Sequence, residues 1–287
     1  MCRGKERFNS SLSSTFKATN LAIEIDYPGN GMMSGTIGKD SIIFGTGERG
    51  EALRVDRAGL CFASIVPDFL EYVPADGIFG LAPYASSVSG FLSPLDSAID
   101  NGLFSPAFTI SLQYYPEDVD VRGGLITFGG VDTDNCGTVL LHSPLVSVSS
   151  YEYNIQGIYA GDLKFKSLYK TVSETASSSL TLPTTMAEQL IAALGGAYDP
   201  TTGLTLIDCR AAIPDLIVQI GLHQLTITAK NLIIPYSNTQ CILAIAGADS
   251  TGFGPEVVLG EPFMRAYCHI FNLGTSQIGL APSLQSV

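Results

Sequence analysis

This 287-residue chain predicts an all-β fold with a few short helices. Thirty glycines and fifteen prolines punctuate it, Ser, Thr, Val and Ile are abundant, and long helix-forming runs are scarce. Apolar residues make up 46% of the chain, enough to build a core, so global disorder is excluded. The punctuation also repeats, with similar turn and strand signals in the first and second halves.

The elements follow in order. Leu21 to Phe44, "LAIEIDYPGNGMMSGTIGKDSIIF", alternates apolar and polar residues around a Gly-rich centre and predicts a β-hairpin with an extended tip. Strand-like pieces continue to "ADGIFGLAPY". "FLSPLDSAIDNGLF" then has helical spacing, with Ser93 before Pro94 as its cap. "FTISLQYY" and "GGLITFGGVD" read as strands. Beyond Leu140 to Ser150 the pattern begins again: strands, a tight turn in "KTVSETASSSLTLP", a helix in "TTMAEQLIAALGG", then "VVLGEPFMRAY" and "CHIFNLGTSQIGLAP". An apolar-apolar-Gly triplet marks each half, Ile78-Phe79-Gly80 and Val258-Leu259-Gly260. Two lobes are therefore expected, residues 1–146 and 147–287.

Charge and motifs exclude several functions. A formal charge of −12, with 27 acidic against 15 basic residues, repels nucleic acid and anionic membrane surfaces. No apolar run is long enough to span a bilayer. The three histidines, His142, His223 and His269, fit no His-Glu-x-x-His pattern, and Cys-x-x-Cys is absent. "DTDNCG", Asp132 to Gly137, starts like a calcium loop but places Cys136 and Ser143 where oxygen ligands and a closing glutamate belong. Neither a Gly-x-Ser-x-Gly elbow nor a phosphate-binding loop occurs. No metal and no cofactor are expected.

Signals of compartment conflict. "MCRGKERFNSSLSS" lacks the apolar segment of a signal peptide, while six cysteines and one glycosylation sequon, Asn9-Ser10-Ser11, fit an oxidising lumen. The conflict raises the question of whether Met1 is the natural start.

"FNSSLSSTF", the hairpin reaching Tyr27, "DGIFGLA", "LITFGGVD", "SLTLP" and "VLGEPFMRAYCHIFNLGTSQIGLAP" stand in the order and spacing of a known family. The sequence resembles the pepsin-like aspartic proteases over essentially its whole length, and "GGVDTDNCG" resembles nematode members. The resemblance implies a bilobal all-β fold, a peptide-binding cleft roofed by a hairpin flap, and a catalytic aspartate from an Asp-Thr-Gly turn in each lobe. It also implies a monomer with a peptide or protein ligand and an extracellular or lysosomal location.

Paired carboxylates explain such turns. Two close carboxylates cannot both ionise, so they share a proton; one activates water while the other polarises the scissile carbonyl. Here the second Asp-Thr-Gly falls on Glu174-Thr175-Ala176, followed by Ser177, whose hydroxyl is expected to support the carboxylate. The extra methylene displaces the carboxylate oxygens, and Ala176 is a mild change unless the turn needs positive φ. The first Asp-Thr-Gly of the family lies upstream of "FNSSLSSTF", and neither Asp-Thr-Gly nor Asp-Ser-Gly occurs in these residues. The first lobe is thus expected to be incomplete, with Asp26 and Asp76 as surface or turn residues. Tyr27 matches the flap tyrosine, and Thr175, Ser177 and Thr181 are further substrate-binding candidates, with Tyr151 a weaker one. The chain reads as an inactive, peptide-binding homologue. The alternative is an acid endopeptidase whose native form includes the missing catalytic segment.

By the same resemblance, Cys209 and Cys241 match a second-lobe disulfide, and Cys2 matches a loop cysteine whose partner lies outside the chain. Cys61 with Cys136 remains open. Cys268, in an apolar strand, reads as a buried thiol.

Overall fold

Short strands separated by glycine and polar turns fold here into five sheets among the described residues, and burial is deepest where strands such as Ala107–Leu112 and Tyr267–Asn272 are covered on both faces. The structure, a computed structural model, describes residues 5–27, 31–45, 52–71, 75–87, 90–115, 121–250, 252 and 254–284. Cys2 and the hairpin tip, residues 28–30, lie outside the described residues. Two compact units are present, Met1–Ser105 and Pro106–Val287.

In the first unit the expected hairpin is formed by β1 (Lys17–Tyr27) and β2 (Gly31–Phe44), joined on its far side by β3 (Leu53–Ile65) in a three-stranded antiparallel sheet. Helix α1 (Pro94–Asp100) starts as the sequence indicates, with Ser93 Oγ accepting the Asp96 N–H at 3.1 Å and Pro94 in the first turn. Its Ala98 packs with Val55 and Ala58 of β3. Buried Asp40 on β2 accepts hydrogen bonds from Ser13 Oγ, Thr15 Oγ1 and the Ser41 N–H, fastening the segment before β1 to the sheet. Residues 75–82 form no strand, contrary to the reading of "DGIFGLA", since no neighbouring strand pairs with them among the described residues. Asp76 instead accepts the Glu6 N–H at 3.0 Å.

The second unit opens with β4 (Ala107–Leu112), β5 (Gly124–Phe128) and β6 (Leu141–Pro144), which join strands Tyr267–Asn272 and Gln277–Pro282 in one five-stranded sheet. This pairing explains why compactness divides the chain at Ser105/Pro106: β4 and β6 are laddered directly to the C-terminal strands. β7 (Glu152–Ile155) belongs to a second five-stranded sheet that carries the Glu174 turn, and two four-stranded sheets complete the unit. The helices are α2 (Thr184–Ala193), α3 (Ala229–Leu232) and α4 (Glu261–Ala266).

Two disulfides fasten this unit. Cys209–Cys241 is the pair the resemblance implies. Cys136–Cys268 corrects two readings: Cys268 is buried but bonded, and Cys136 is not available to Cys61, which is free and exposed. A bridge between Cys136 and Ser283 holds Cys136 beside the terminal hairpin, where its Cα lies 6.0 Å from that of Cys268.

Candidate active site

The Glu174 turn is built by three strands. Tyr169–Ser173 runs into the turn and Leu180–Leu182 leaves it, while Val257–Leu259 threads between them, parallel to the first and antiparallel to the second. Val172 and Thr181 thus both pair with Val258, and Ser173 and Leu180 both pair with Leu259. The turn's two stems are held at fixed spacing by one shared neighbour.

Local bonds close the turn. The Glu174 N–H donates to Leu259 O at 3.2 Å, and the Glu261 N–H donates to Ser177 O at 2.8 Å. Gly260 lies between these contacts. A Cβ there would stand 2.3 Å from both Ser177 O and Ser179 O, so the residue must be glycine for the chains to approach. Just before the turn, Ser173 Oγ and the Tyr153 hydroxyl are 2.8 Å apart in the core. Burial pushes the Tyr153 hydroxyl pKa up, partly offset by that bond, so it stays a neutral pin.

Helix α4 anchors the far side. Arg265 is buried; its Nη1 donates to Glu261 Oε2 at 3.1 Å and its Nη2 to Asn231 O at 3.0 Å, with the Tyr114 ring 4.4 Å from its guanidinium carbon. The Glu261-to-Arg265 spacing is an i,i+4 signal present in the sequence and left unread there. Beside this anchor a cavity of about 810 Å³ opens, lined among others by Ser178, Ser179, Tyr198, Gly247, Glu261 and Arg265. The sequence carries no local sign of it, because its walls come from segments far apart in the chain.

Each candidate site residue has a place. Glu174 and Thr175 are exposed at the head of the turn, and the Glu174 carboxylate has no hydrogen-bond or ion-pair partner among the described residues. Ser177 is half-buried and its proton goes to Ser179 O at 2.8 Å, so the hydroxyl staples the turn instead of supporting Glu174, as the sequence had suggested. Ala176 has no positive φ, so replacing glycine there does not strain the backbone. Thr181 is half-buried in the middle of its strand. Tyr27 is half-buried at the end of β1 in the other unit. Tyr151 is buried against Phe108 and Phe271, which makes it a core residue and not a ligand contact.

The arrangement offers the Glu174 carboxylate on a glycine-locked turn whose Ser178 and Ser179 line the neighbouring cavity. Comparison with known proteins places it. The family model for eukaryotic aspartyl protease matches residues 1–283. The chain is 34% identical over 286 residues to aspartic protease 6 of Caenorhabditis elegans, covering 99% of this chain and 73% of that protein. It is 29% identical to aspartic protease 10 of the same organism, covering 99% of this chain and 66% of that one. Against pepsin A of Bos taurus it is 30% identical over 293 residues, covering 98% of this chain and 74% of that protein. A fold that is mostly sheet with short helices and a match over nearly every residue agree: the chain belongs to the eukaryotic aspartyl protease family.

Proposed function

We propose that these 287 residues form a non-catalytic aspartic-protease homologue that binds an extended peptide or protein segment as a monomer. The observation that carries this reading is Glu174. Its turn keeps the strand frame of a catalytic carboxylate, but the carboxylate is a methylene longer, exposed, and without a partner among the described residues. A single carboxylate cannot both activate water and protonate the scissile carbonyl, and no Asp-Thr-Gly or Asp-Ser-Gly in this sequence supplies a second. Binding residues on this reading are Tyr27, Thr175, Ser177 and Thr181. Ser177 would act through its lone pairs, since its proton is committed to Ser179.

A second reading is favoured by the length and names of the relatives: the chain spans 66–73% of the two C. elegans proteins, both named proteases. On this reading a further segment supplies an Asp-Thr-Gly, and the whole is an acid endopeptidase. The two disulfides support an oxidising compartment for either form, extracellular or lysosomal.

Cleavage of a denatured protein between about pH 3 and 6, where a coupled carboxylate pair carries one proton, separates the readings. The chain as given should not cleave, nor should Glu174→Asp alone. Fusing a relative's Asp-Thr-Gly segment should give little with Glu174 in place and substantial activity with Glu174→Asp, because both defects act on one pair. Cleavage by the unaltered chain that Glu174→Gln abolishes would sink the non-catalytic reading.

A further inference from the structure

We propose that Asn9 is the acceptor of an N-linked glycan. The proposal rests on the oxidising-lumen reading above and on the geometry of the first unit. Asn9-Ser10-Ser11 is the one Asn-x-Ser/Thr sequence among the 287 residues. Residues 6–12 are exposed without interruption, so an enzyme can reach the side chain.

Asn9 is also held in a particular way. Its Oδ1 accepts the Ser11 N–H at 3.1 Å and the Ser11 hydroxyl at 2.7 Å, while its backbone carbonyl accepts the Leu12 N–H at 3.0 Å. This is an Asx turn in which the sequon's own hydroxyl closes onto the sequon's own amide. Both donors fall on Oδ1, which leaves Nδ2 with no hydrogen-bond partner among the described residues. Capping the short turn Ser10–Leu12 needs only the bond from the Ser11 N–H, which Asp or Ser at position 9 would accept equally well. The cap uses neither the hydroxyl bond nor the amide nitrogen; glycan transfer needs a reachable Nδ2 and a hydroxyl two residues on, and Asn9 and Ser11 present both on the exposed surface.

The donor is an oligosaccharide carried on a polyisoprenyl diphosphate. Asn9 Nδ2 attacks the anomeric carbon, the C–N bond forms as the C–O bond to diphosphate breaks, the displaced amide proton passes to a base of the transferring enzyme, and the lipid diphosphate leaves. The glycan would stand next to Phe8 and Leu12, which expose 52% and 83% of their surface and otherwise present apolar area to solvent.

The test is translation of the full chain behind a cleavable leader with microsomes, scoring only chains protected from added protease, which have by definition entered the lumen. A reporter, Gln240→Ser, completes a second sequon at exposed Asn238. Protected chains should migrate as singly glycosylated and revert with a glycan-removing amidase. Asn9→Gln and Ser11→Ala should abolish the shift, and Ser11→Thr should keep it. Protected reporter chains modified at Asn238 but not at Asn9 would overturn the proposal and leave the lumen reading standing. Glycan at Asn9 with Cys209 and Cys241 both alkylatable in the same protected chains would keep the proposal and remove the disulfide support for that compartment.

Discussion

Val258-Leu259-Gly260 and Ile78-Phe79-Gly80 carry the same apolar-apolar-glycine pattern in two units, and the structure treats them oppositely. Leu259 is fully buried, hydrogen-bonded in a strand with neighbours on both sides; Ile78 is 70% exposed and belongs to no strand. Phe79 keeps one edge-on ring contact, to Phe44. The difference teaches that the triplet does not make a strand by itself. Backbone groups must find partners, and among the described residues only the second unit's triplet has two adjacent strands that offer them. The turn that carries Glu174 exists because its two stems share that central strand.

The comparison breaks most visibly at the glycine and its neighbour. Leu259→Ala should cost about 2–5 kcal/mol, since the emptied space lies in a closed core. Ile78→Ala should change stability by less than about 0.5 kcal/mol. Gly260→Ala should cost about 1–3 kcal/mol, because the new Cβ meets two carbonyl oxygens at 2.3 Å that belong to backbone and cannot swing aside. Gly80→Ala meets nothing within 4 Å and should be silent. Hydrogen exchange read per segment during denaturant titration checks all four: protection at 174–180 should fall in the Leu259 and Gly260 variants. Equal losses from Gly80→Ala and Gly260→Ala would mean that the first triplet has strand neighbours after all.

Acid should sharpen the same contrast by unfolding the units in different pH windows. In the second unit His269 is fully buried between aromatic rings, with Nδ1 donating to Tyr267 O at 2.8 Å and Nε2 unpartnered. Burial, partly offset by that backbone bond, lowers its pKa from 6.5 to about 4. The unfolded chain therefore takes up a proton near pH 6.5 that the folded one refuses until about pH 4, so stability falls as pH drops through that window, by roughly 3 kcal/mol in all. In the first unit burial raises the pKa of Asp40, but the bonds from Thr15, Ser13 and Ser41 outweigh it and hold the carboxyl below its ordinary value. Stability from Asp40 is present above that ordinary value and is lost only as pH falls through the lower, folded one. Exchange rates measured from pH 7 to 3 should show 267–282 loosening first. His269→Phe should flatten that slope while Asp40→Asn leaves it unchanged.

What the sequence revealed and what it hid divide along the same physical line. The hairpin, α1 with its Ser93 cap, α2 and strands β4 and β5 are written in local periodicity and local turn chemistry, and each stands where it was read. The family pattern placed Glu174 at a strand turn and paired Cys209 with Cys241, a separation of 32 residues. Cys136 and Cys268 are 132 residues apart, and an apolar strand around Cys268 describes a thiol and a disulfide equally well, so no local signal could choose. The strand-like reading of "ADGIFGLAPY" failed for the reason given above: periodicity reports a pattern that suits a sheet, not the presence of the sheet. The Ser177 hydroxyl, three residues past Glu174 in sequence, donates instead to the Ser179 carbonyl, a bond within the turn that sequence order alone does not reveal.

The two helix caps supply the smallest and most local version of this lesson. Helix α1 is capped from within, by Ser93 three residues before Asp96, whereas α2 follows Pro183, which has no side chain to offer. Its first N–H, on Thr184, donates instead to Asp249 Oδ1 at 2.9 Å, a carboxylate 65 residues away. Both bonds satisfy an orphan helix donor, so Ser93→Ala and Asp249→Ala should each cost about 1 kcal/mol in thermal denaturation. They should differ in how salt acts. Ser93 Oγ also donates to Asp96 Oδ2 at 2.6 Å, but Ser93→Ala leaves the Asp96 charge in the first turn of α1, so its cost should vary little with salt. Asp249→Ala removes a charge from the positive end of α2, a contribution of about 0.3–1 kcal/mol that salt screens. Asp249→Asn keeps an acceptor and removes the charge, so it should recover most of the loss of Asp249→Ala and abolish the salt dependence. If Asp249→Ala is silent at low salt, the remote cap contributes nothing and α2 is held by the packing of Met186, Ala187 and Leu190 alone.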